Sequence, residues 1–329
     1  GVAPSPPRQH SRDPEARRLY QMGYYAWAKR TEAETMRSIG FFRQALARDP
    51  DYALAHAGLA DALLSASNRR LLPPAEAIPS ARESVRKALS LSPRLAEALT
   101  ASARIRFFYE WQFAPAEIEF RRAIELTPNS LGAHQWYGLA LSALGRFDRA
   151  LAQLKEAEAL SPLSPMIGND VAVTRFYERR YDLAAAQARR VIEVEPGFPA
   201  AHLTLGYALA SQGQASAGLR ELDRAVELAG PDVGTNLWRV RTLALLGQRE
   251  RAVALLAGLL RTAPDRIGRY RLACVRAVLG QSDLAFQDLE VAAQERELWL
   301  VYVNVDPAFD SLRSDPRFPA LLRRIGLQR

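Results

Sequence analysis

The stretch that decides the fold is residues 131–162, LGAHQWYGLALSALGRFDRALAQLKEAEALSP. Apolar and small residues recur there at intervals of three and four, which is the spacing of one apolar face on each of two helices. Gly145 stands between the two segments, where a glycine ends a helix in the left-handed conformation. Pro162 stops the second helix. Small residues at Gly138 and Ala150 would let the two helices approach closely, so the stretch predicts a helical hairpin.

The same pattern returns along most of the chain with a fixed period. The position that closes each hairpin recurs at Pro50, Pro93, Pro128, Pro162, Pro196, Gly230 and Pro264, so the spacing settles at 34 residues from Pro128 onward. Turn glycines recur in step with it, at Gly145, Gly213, Gly247 and Gly280. A fixed period of this length indicates a repeat array, here of about eight helix-turn-helix units.

This period, with its recurring small, aromatic and proline positions, resembles the tetratricopeptide repeat family from about Asp13 to Ala293. The resemblance implies an all-α fold, a right-handed superhelical solenoid of antiparallel helix pairs with a concave groove. It also implies a non-catalytic scaffold that binds a protein or peptide in that groove, without a cofactor.

A narrower resemblance concerns two segments, DYALAHAGLADA at residues 51–62 and DPAFDSLRSDPRF at residues 306–318. Both are similar to bacterial repeat regions attached to winged-helix transcription regulators, serine/threonine kinases and cyclases. The resemblance implies a regulatory module whose effector domain lies outside this chain. We expect a cytoplasmic location, or a periplasmic one if a membrane helix precedes the repeats; no apolar run in this chain is long enough to span a bilayer.

We predict three parts: a proline-rich linker over residues 1–12, the repeat array over residues 13–293, and a C-terminal helical cap over residues 294–329. The second repeat is longer than the rest, and its extra residues fall between Ser67 and Pro79. They predict either a longer loop or an added helical turn, with a binding role and a tolerated insertion both open.

A repeat array has to cover its last apolar face, and we expect the C-terminal residues to do this. We predict a capping helix near Glu295–Tyr302 and a final helix from Pro316 to Ile325. Asp306 and Asp315 are each followed by proline, which is the pattern of a helix N-cap with proline at the first helical position.

Composition and sequence motifs limit the classes of partner and of catalytic site that this chain can have. The net charge of +8 gives a weak preference for acidic partners, and the arginine pairs at 121–122, 179–180 and 189–190 keep open an alternative function, the binding of nucleic acid or another anionic ligand. We disfavour nucleic acid because these pairs are expected on second helices or turns, as solvated charge. The single cysteine, Cys274, excludes a disulfide framework, and no P-loop, nucleophile elbow or zinc-protease motif occurs.

The spacing of the histidines argues against a metal site. His56, His134 and His202 all occupy the fourth position of a first helix, two repeats apart. Helix packing distances then separate them by roughly 20 Å, whereas zinc ligands lie about 2 Å from the ion. Cys274 occupies a small-residue packing position, and we expect it to be buried and inert.

In the family, positions 2, 5, 9, 12 and 13 of each first helix line the groove. The resemblance therefore implies these contacts, which we expect to face the groove: Tyr20, Tyr24, Trp27, Arg104, Phe107, Phe108, Gln135, Asn169, Phe176, Tyr177, Tyr207, Arg241 and Arg271. Aromatic residues and arginine dominate, and both are enriched at protein interfaces. The alternative is that several of the aromatic rings pack between neighbouring repeats. The sequence does not indicate an oligomeric state.

Overall fold

The computed structural model describes residues 11–29, 31–230 and 233–328. Residues 1–10, which make up most of the predicted linker, lie outside this range. The described residues form helices joined by short turns, without a strand. The chain divides into two compact units, Gly1–Trp136 and Tyr137–Arg329, which are treated one at a time.

The first unit holds three helical hairpins and the beginning of a fourth. The helices are α1 Pro14–Ala28 and α2 Glu32–Arg48, then α3 Ala53–Asn68 and α4 Pro74–Leu91, then α5 Ala96–Arg104 and α6 Phe113–Leu126, with α7 Leu131–Ala143 crossing into the second unit. A π-helical turn, Ile105–Tyr109, extends α5. Helix pairs therefore occur where the periodicity predicts them.

Close packing in this unit depends on glycines placed opposite a large ring. A Cβ atom added to Gly23 would lie 2.8 Å from the Phe42 ring, and one added to Gly58 would lie 2.6 Å from it. Both distances are shorter than van der Waals contact allows. The small positions of two successive first helices therefore form the slot that holds the Phe42 ring.

The extra residues of the second hairpin lengthen its helices. Helices α3 and α4 contain 16 and 18 residues, compared with 13 in α7. The connecting loop is short, and Arg70 within it adopts a positive φ of 57°. Of the two interpretations of the insertion, added helical turns describe the structure.

The second unit continues the hairpins in the same order. Its helices are α8 Phe147–Leu160, α9 Pro165–Tyr177, α10 Tyr181–Val194, α11 Pro199–Ser211, α12 Ala215–Ala229, α13 Val233–Leu245, α14 Arg249–Thr262, α15 Arg269–Val278 and α16 Ser282–Gln294. A short 3₁₀ turn, Pro264–Arg266, precedes α15. Hairpins five to eight therefore have α9, α11, α13 and α15 as their first helices.

Glycine sets the distance between the two helices of a hairpin here as well. A Cβ on Gly206 would lie 2.8 Å from the carbonyl oxygen of Gly218, and a Cβ on Gly218 would lie 2.7 Å from the carbonyl oxygen of Gly206. Because backbone faces backbone, any larger residue would push the helices apart.

The turn glycines have the conformation that their position in the sequence predicts. Gly145, Gly213, Gly247 and Gly280 all have φ between 70° and 78°. Arg179 occupies the same turn in the fifth hairpin and also has a positive φ, 68°. This conformation disfavours a side chain, so the fifth hairpin keeps an arginine at a conformational cost.

The C-terminal residues differ from the predicted cap in their secondary structure. They form two 3₁₀ helices, Leu298–Tyr302 and Pro307–Leu312, followed by α17, Arg317–Arg324. Asp306 is the predicted N-cap, and its carboxylate accepts from the Ala308 N–H at 2.9 Å. The prediction that Pro316 is the first helical residue is wrong, because Pro316 is the cap residue and the helix begins one residue later.

The larger difference is where these residues lie. We call residues 298–312 the return segment, because they run back along the first helices of earlier hairpins. The Tyr302 hydroxyl donates to the Leu139 carbonyl at 3.0 Å, and its ring stacks on Tyr177 at 5.0 Å between centroids. Arg179 binds Asp310 at 2.8 Å. These residues, which the sequence predicts as a cover for the last hairpin, therefore also contact the fourth and fifth hairpins.

Candidate functional site

The second unit contains a cavity of about 230 Å³ beside α9, α11, α13 and α15, with Trp299 of the return segment completing its wall. Six of the predicted groove residues line it: Asn169, Phe176, Tyr177, Tyr207, Arg241 and Arg271. The structure therefore brings together the predicted contacts of hairpins five to eight.

The repeat register explains why these residues meet. Asn169, Leu203, Leu237 and Arg271 follow one another at intervals of 34 residues, so they occupy equivalent positions in four consecutive repeats, and all line the cavity. Positions five, nine and twelve of a helix share one face. Stacking hairpins with a constant period therefore brings the same face of each first helix to one side of the cavity.

Arg241, which lines the cavity, belongs to a buried ion pair behind the wall. Arg241 and Asp306 lie 2.8 Å apart, and their side chains are only 3% and 1% exposed. The Tyr270 hydroxyl donates to the other Asp306 oxygen at 3.0 Å. The Arg241 guanidinium also lies 4.3 Å from the centre of the Tyr207 ring. The predicted groove arginine is therefore already neutralised, by a carboxylate from the return segment.

This environment also keeps two neighbouring side chains protonated. Burial raises the pKa of the Tyr270 hydroxyl and of the Cys274 thiol well above their usual values, and the negative charge of Asp306 raises both further. The thiol sulfur lies 3.6 Å from the same carboxylate. Cys274 is therefore buried, as expected, and acts as a donor within this cluster.

The rim of the cavity is half-buried, unlike the buried cluster around Arg241. It includes the polar side chains of Asn169, Thr204 and Arg271 and the rings of Trp238 and Trp299. The Thr204 hydroxyl donates to the Asn169 side-chain oxygen at 2.9 Å. Arg271 has no hydrogen-bond or ion-pair partner among the residues that the structure describes. Its guanidinium is thus the one rim charge on this part of the chain that is available to a ligand.

The predicted contacts of the first hairpin lie apart from this cavity, in the first unit. Tyr24 is exposed, and its ring lies 5.8 Å from that of Trp27. Tyr20 is half-buried against Phe42 and Tyr52, with ring centroids at 5.8 and 5.2 Å. Tyr24 therefore faces solvent, whereas Tyr20 packs between neighbouring hairpins.

Two predicted groove contacts of the third hairpin are buried in the structure. Phe107 and Phe108 are each 1% exposed, and they pack against one another at 4.8 Å. They lie in the π-helical turn, whose wider hydrogen-bonding pattern changes the register of an α-helix. The expectation that these two rings face a groove is therefore wrong, because positions counted along an α-helix do not apply there.

Two further predicted contacts of the first unit are also buried. Arg104 forms an ion pair with Asp61, and its guanidinium lies 3.8 Å from the centre of the Trp136 ring. Gln135, which precedes that tryptophan on α7, is buried as well. The expectation that Arg104 and Gln135 face a groove is therefore wrong: both side chains are buried, and Arg104 packs between neighbouring hairpins.

The three helical histidines have a common structural role. In each case the Nε2 atom lies within hydrogen-bond distance of the carbonyl of the proline that closes the preceding hairpin: His56 with Pro50 at 2.9 Å, His134 with Pro128 at 2.8 Å, and His202 with Pro196 at 3.1 Å. Their regular spacing therefore reflects a repeated contact between hairpins. Within the described ranges, no cluster of three or more metal-binding side chains occurs.

Comparison with models of known protein families identifies the repeat over part of the chain. A model of the tetratricopeptide repeat matches residues 112–165 and 172–233, where the 34-residue period is regular. These two segments match the tetratricopeptide repeat family, which supports the resemblance seen in the sequence. A search of curated protein sequences found no match.

Several solved structures have a similar fold. A monomeric mutant of IFIT1 has a TM-score of 0.60 and 15% identity, over 85% of this chain and 71% of that one. A tetratricopeptide repeat protein from Parabacteroides merdae has a TM-score of 0.54 and 15% identity, over 81% and 98%. Yeast Tom70 has a TM-score of 0.53 and 18% identity, over 97% and 70%. At these identities the similarity concerns the fold.

Tetratricopeptide arrays generally serve as scaffolds for protein–protein interaction, and they are generally non-catalytic. Their fold indicates a protein or peptide as the partner. Within the residues that the structure describes, no helix combines the length and the apolar character that a bilayer span requires.

The residues missed at the sequence level have two explanations. Thr204 and Trp238 follow the fifth position directly, so they were outside the five positions carried over from the family. The rotation of these helices makes the sixth position part of the rim. Trp299 and Asp306 belong to the return segment, whose path could not be inferred from a local pattern.

Proposed function

We propose that this chain is a non-catalytic interaction module that binds a peptide or protein segment beside α9, α11, α13 and α15. The observation that carries the proposal is the cavity described above, in which aromatic rings and arginine from four successive repeats come together. Binding sites for partners are enriched in these residue types, because rings contribute large contact areas and arginine contributes forked hydrogen bonds.

The size of the cavity favours a side chain of a partner over a small-molecule cofactor. Its volume of about 230 Å³ is below the roughly 300–1,000 Å³ typical of pockets for drug-sized ligands. One or two side chains would fill it. The half-buried rings of Trp238 and Trp299 would then cover an inserted anchor residue, and the rest of the partner segment would lie along the helices.

The alternative of a nucleic-acid or general anion binder is not favoured. Three of the six arginines that motivated it have acidic neighbours: Arg122 binds Glu125 at 3.0 Å, Arg179 binds Asp310 at 2.8 Å, and Arg180 lies 3.7 Å from Asp182. Paired charges of this kind offer little free positive potential to a phosphate backbone.

A cavity-filling variant tests the proposal. Thr204→Trp places a large ring at the rim, whereas Thr262→Trp adds the same ring at an exposed position of the second helix α14. Peptides enriched from a display library on the unaltered protein would be titrated against both variants, with circular dichroism to check folding. We expect binding to weaken at least roughly tenfold in Thr204→Trp and to persist in the control. Equal binding to both variants would refute the proposal.

A further inference from the structure

The two arginines that line the cavity differ in one respect. Arg241 is fully buried and paired with Asp306. Arg271 comes from the next first helix, is half-buried, and has no partner among the described residues. The cavity therefore has one satisfied cation and one cation that still lacks a counter-charge.

The rest of the lining offers Arg271 no compensation. Not one of the 16 residues that line the cavity carries a carboxylate. The Arg271 side chain is itself half-buried, beside the half-buried rings of Trp238 and Trp299. A charge held partly out of water interacts more strongly with an opposite charge than a solvated one does. An arginine in this position therefore favours an anion, and its planar fork matches the two oxygens of a carboxylate.

The return segment shows what kind of chain these helices accept. It contributes a carboxylate to Arg241, at 2.8 Å, and an aromatic ring that stacks on Tyr177. Trp299, from the same segment, is part of the cavity wall. A carboxylate together with large apolar side chains is thus already bound along α9 and α13, by the protein's own C-terminal residues.

We propose that the cavity recognises a residue pair in the partner, a large apolar side chain that fills the space and an adjacent carboxylate that binds Arg271. This inference rests on the proposed function and specifies the chemistry of the partner. The carboxylate can come from an acidic side chain within the segment or from a free C-terminus, since both present the same two oxygens.

Three fluorescein-labelled peptides of equal length separate these possibilities. The first carries Phe-Asp at its centre and an amidated C-terminus, and the second is identical except for Phe-Asn. The third ends in phenylalanine with a free carboxylate and contains no acidic side chain. Fluorescence anisotropy gives the Kd of each peptide for the intact chain, for Arg271→Gln and for Arg261→Gln, an exposed arginine of α14 that serves as control.

We expect the first or the third peptide to bind at least roughly tenfold more tightly than the second, because a charged hydrogen bond is gained. Whichever of the two binds more tightly identifies the source of the carboxylate. Arg271→Gln should remove the difference, and Arg261→Gln should preserve it. Equal affinity for all three peptides, or a difference that survives in Arg271→Gln, would overturn the inference.

The two proposals fail in different ways. If all three peptides bind equally and Thr204→Trp weakens each of them, the cavity binds peptides but does not select a carboxylate, and only the inference about Arg271 is wrong. If library-selected peptides bind Thr204→Trp as well as they bind the unaltered chain, the cavity is not the binding site, and the proposed function is wrong.

Discussion

Replacing Asp306 by asparagine should release the return segment from the helices on which it lies. The Asp306 carboxylate accepts from the Arg241 guanidinium at 2.8 Å, from the Tyr270 hydroxyl at 3.0 Å and from the Ala308 N–H at 2.9 Å. Asparagine keeps one oxygen but has no charge, and its amide group would face the arginine. An unpaired buried charge destabilises a protein by about 3–5 kcal/mol.

Hydrogen exchange is the appropriate assay. The chain has two compact units, so a single free energy of unfolding is not well defined for it. Local opening can be measured instead from peptides that cover residues 298–312. In Asp306→Asn we expect their exchange to accelerate by roughly 10²–10⁴-fold, the equivalent of about 3–5 kcal/mol. Peptides from the first unit provide the internal control.

A double variant distinguishes the loss of the ion pair from nonspecific destabilisation by the substitution. Adding Arg241→Met to Asp306→Asn removes the orphaned cation, so the double variant should exchange more slowly than Asp306→Asn alone. The reasoning is refuted if Asp306→Asn leaves exchange at residues 298–312 unchanged, or if the effects of the two substitutions simply add.

The remaining predictions concern helix spacing and the buried thiol. Gly206→Ala should destabilise the sixth hairpin by about 1–3 kcal/mol, because the added Cβ would meet the backbone of α12. Gly258→Ala should instead stabilise α14 by about 0.5–1 kcal/mol, because there is open space around the added Cβ. Urea denaturation followed by hydrogen exchange distinguishes the two, and the same sign for both would contradict the packing argument. Because burial raises the pKa of the Cys274 thiol, its reaction with a disulfide reagent should be slow at pH 8 and faster in Asp306→Asn. Rapid reaction in the unaltered protein would contradict this, because it would show that solvent reaches the thiol.

The repeat architecture was predictable because the contacts that define each hairpin are local. Gly145 directly follows the apolar residue Leu144, and Gly138 faces Leu154 within the same hairpin. Such relationships recur within the 34-residue period and can be read without a structure. The positive φ of the turn glycines and the pairing of helices both followed from them.

The path of the return segment was not predictable in this way. The hydrogen bond from Tyr302 to Leu139 joins residues 163 positions apart. No periodicity relates these positions, and the Asp-Pro motif at 306–307 indicated only a helix cap. The second role of Asp306, the neutralisation of Arg241, depends on the path of the return segment, which brings two residues distant in the sequence together.

The candidate site was predictable only where the α-helical register is undisturbed. Counting positions selected Asn169 and Arg271, which line the cavity, because α9 and α15 are regular helices. The same counting misplaced Phe107 and Phe108, since the π-helical turn changes the direction of side chains after Arg104. The groove-lining positions of the family can therefore be assigned to residues of this chain only where the α-helical geometry is retained.

The five tryptophans of this chain allow the most direct test of the proposed binding site. Trp238 and Trp299 line the cavity, whereas Trp27, Trp111 and Trp136 belong to the first unit. Protein labelled with 5-fluorotryptophan would be titrated with a library-selected peptide and followed by ¹⁹F NMR, with each resonance assigned by a Trp→Phe substitution. The account predicts that the resonances of Trp238 and Trp299 shift and saturate together with binding. Shifts confined to the three tryptophans of the first unit would contradict it.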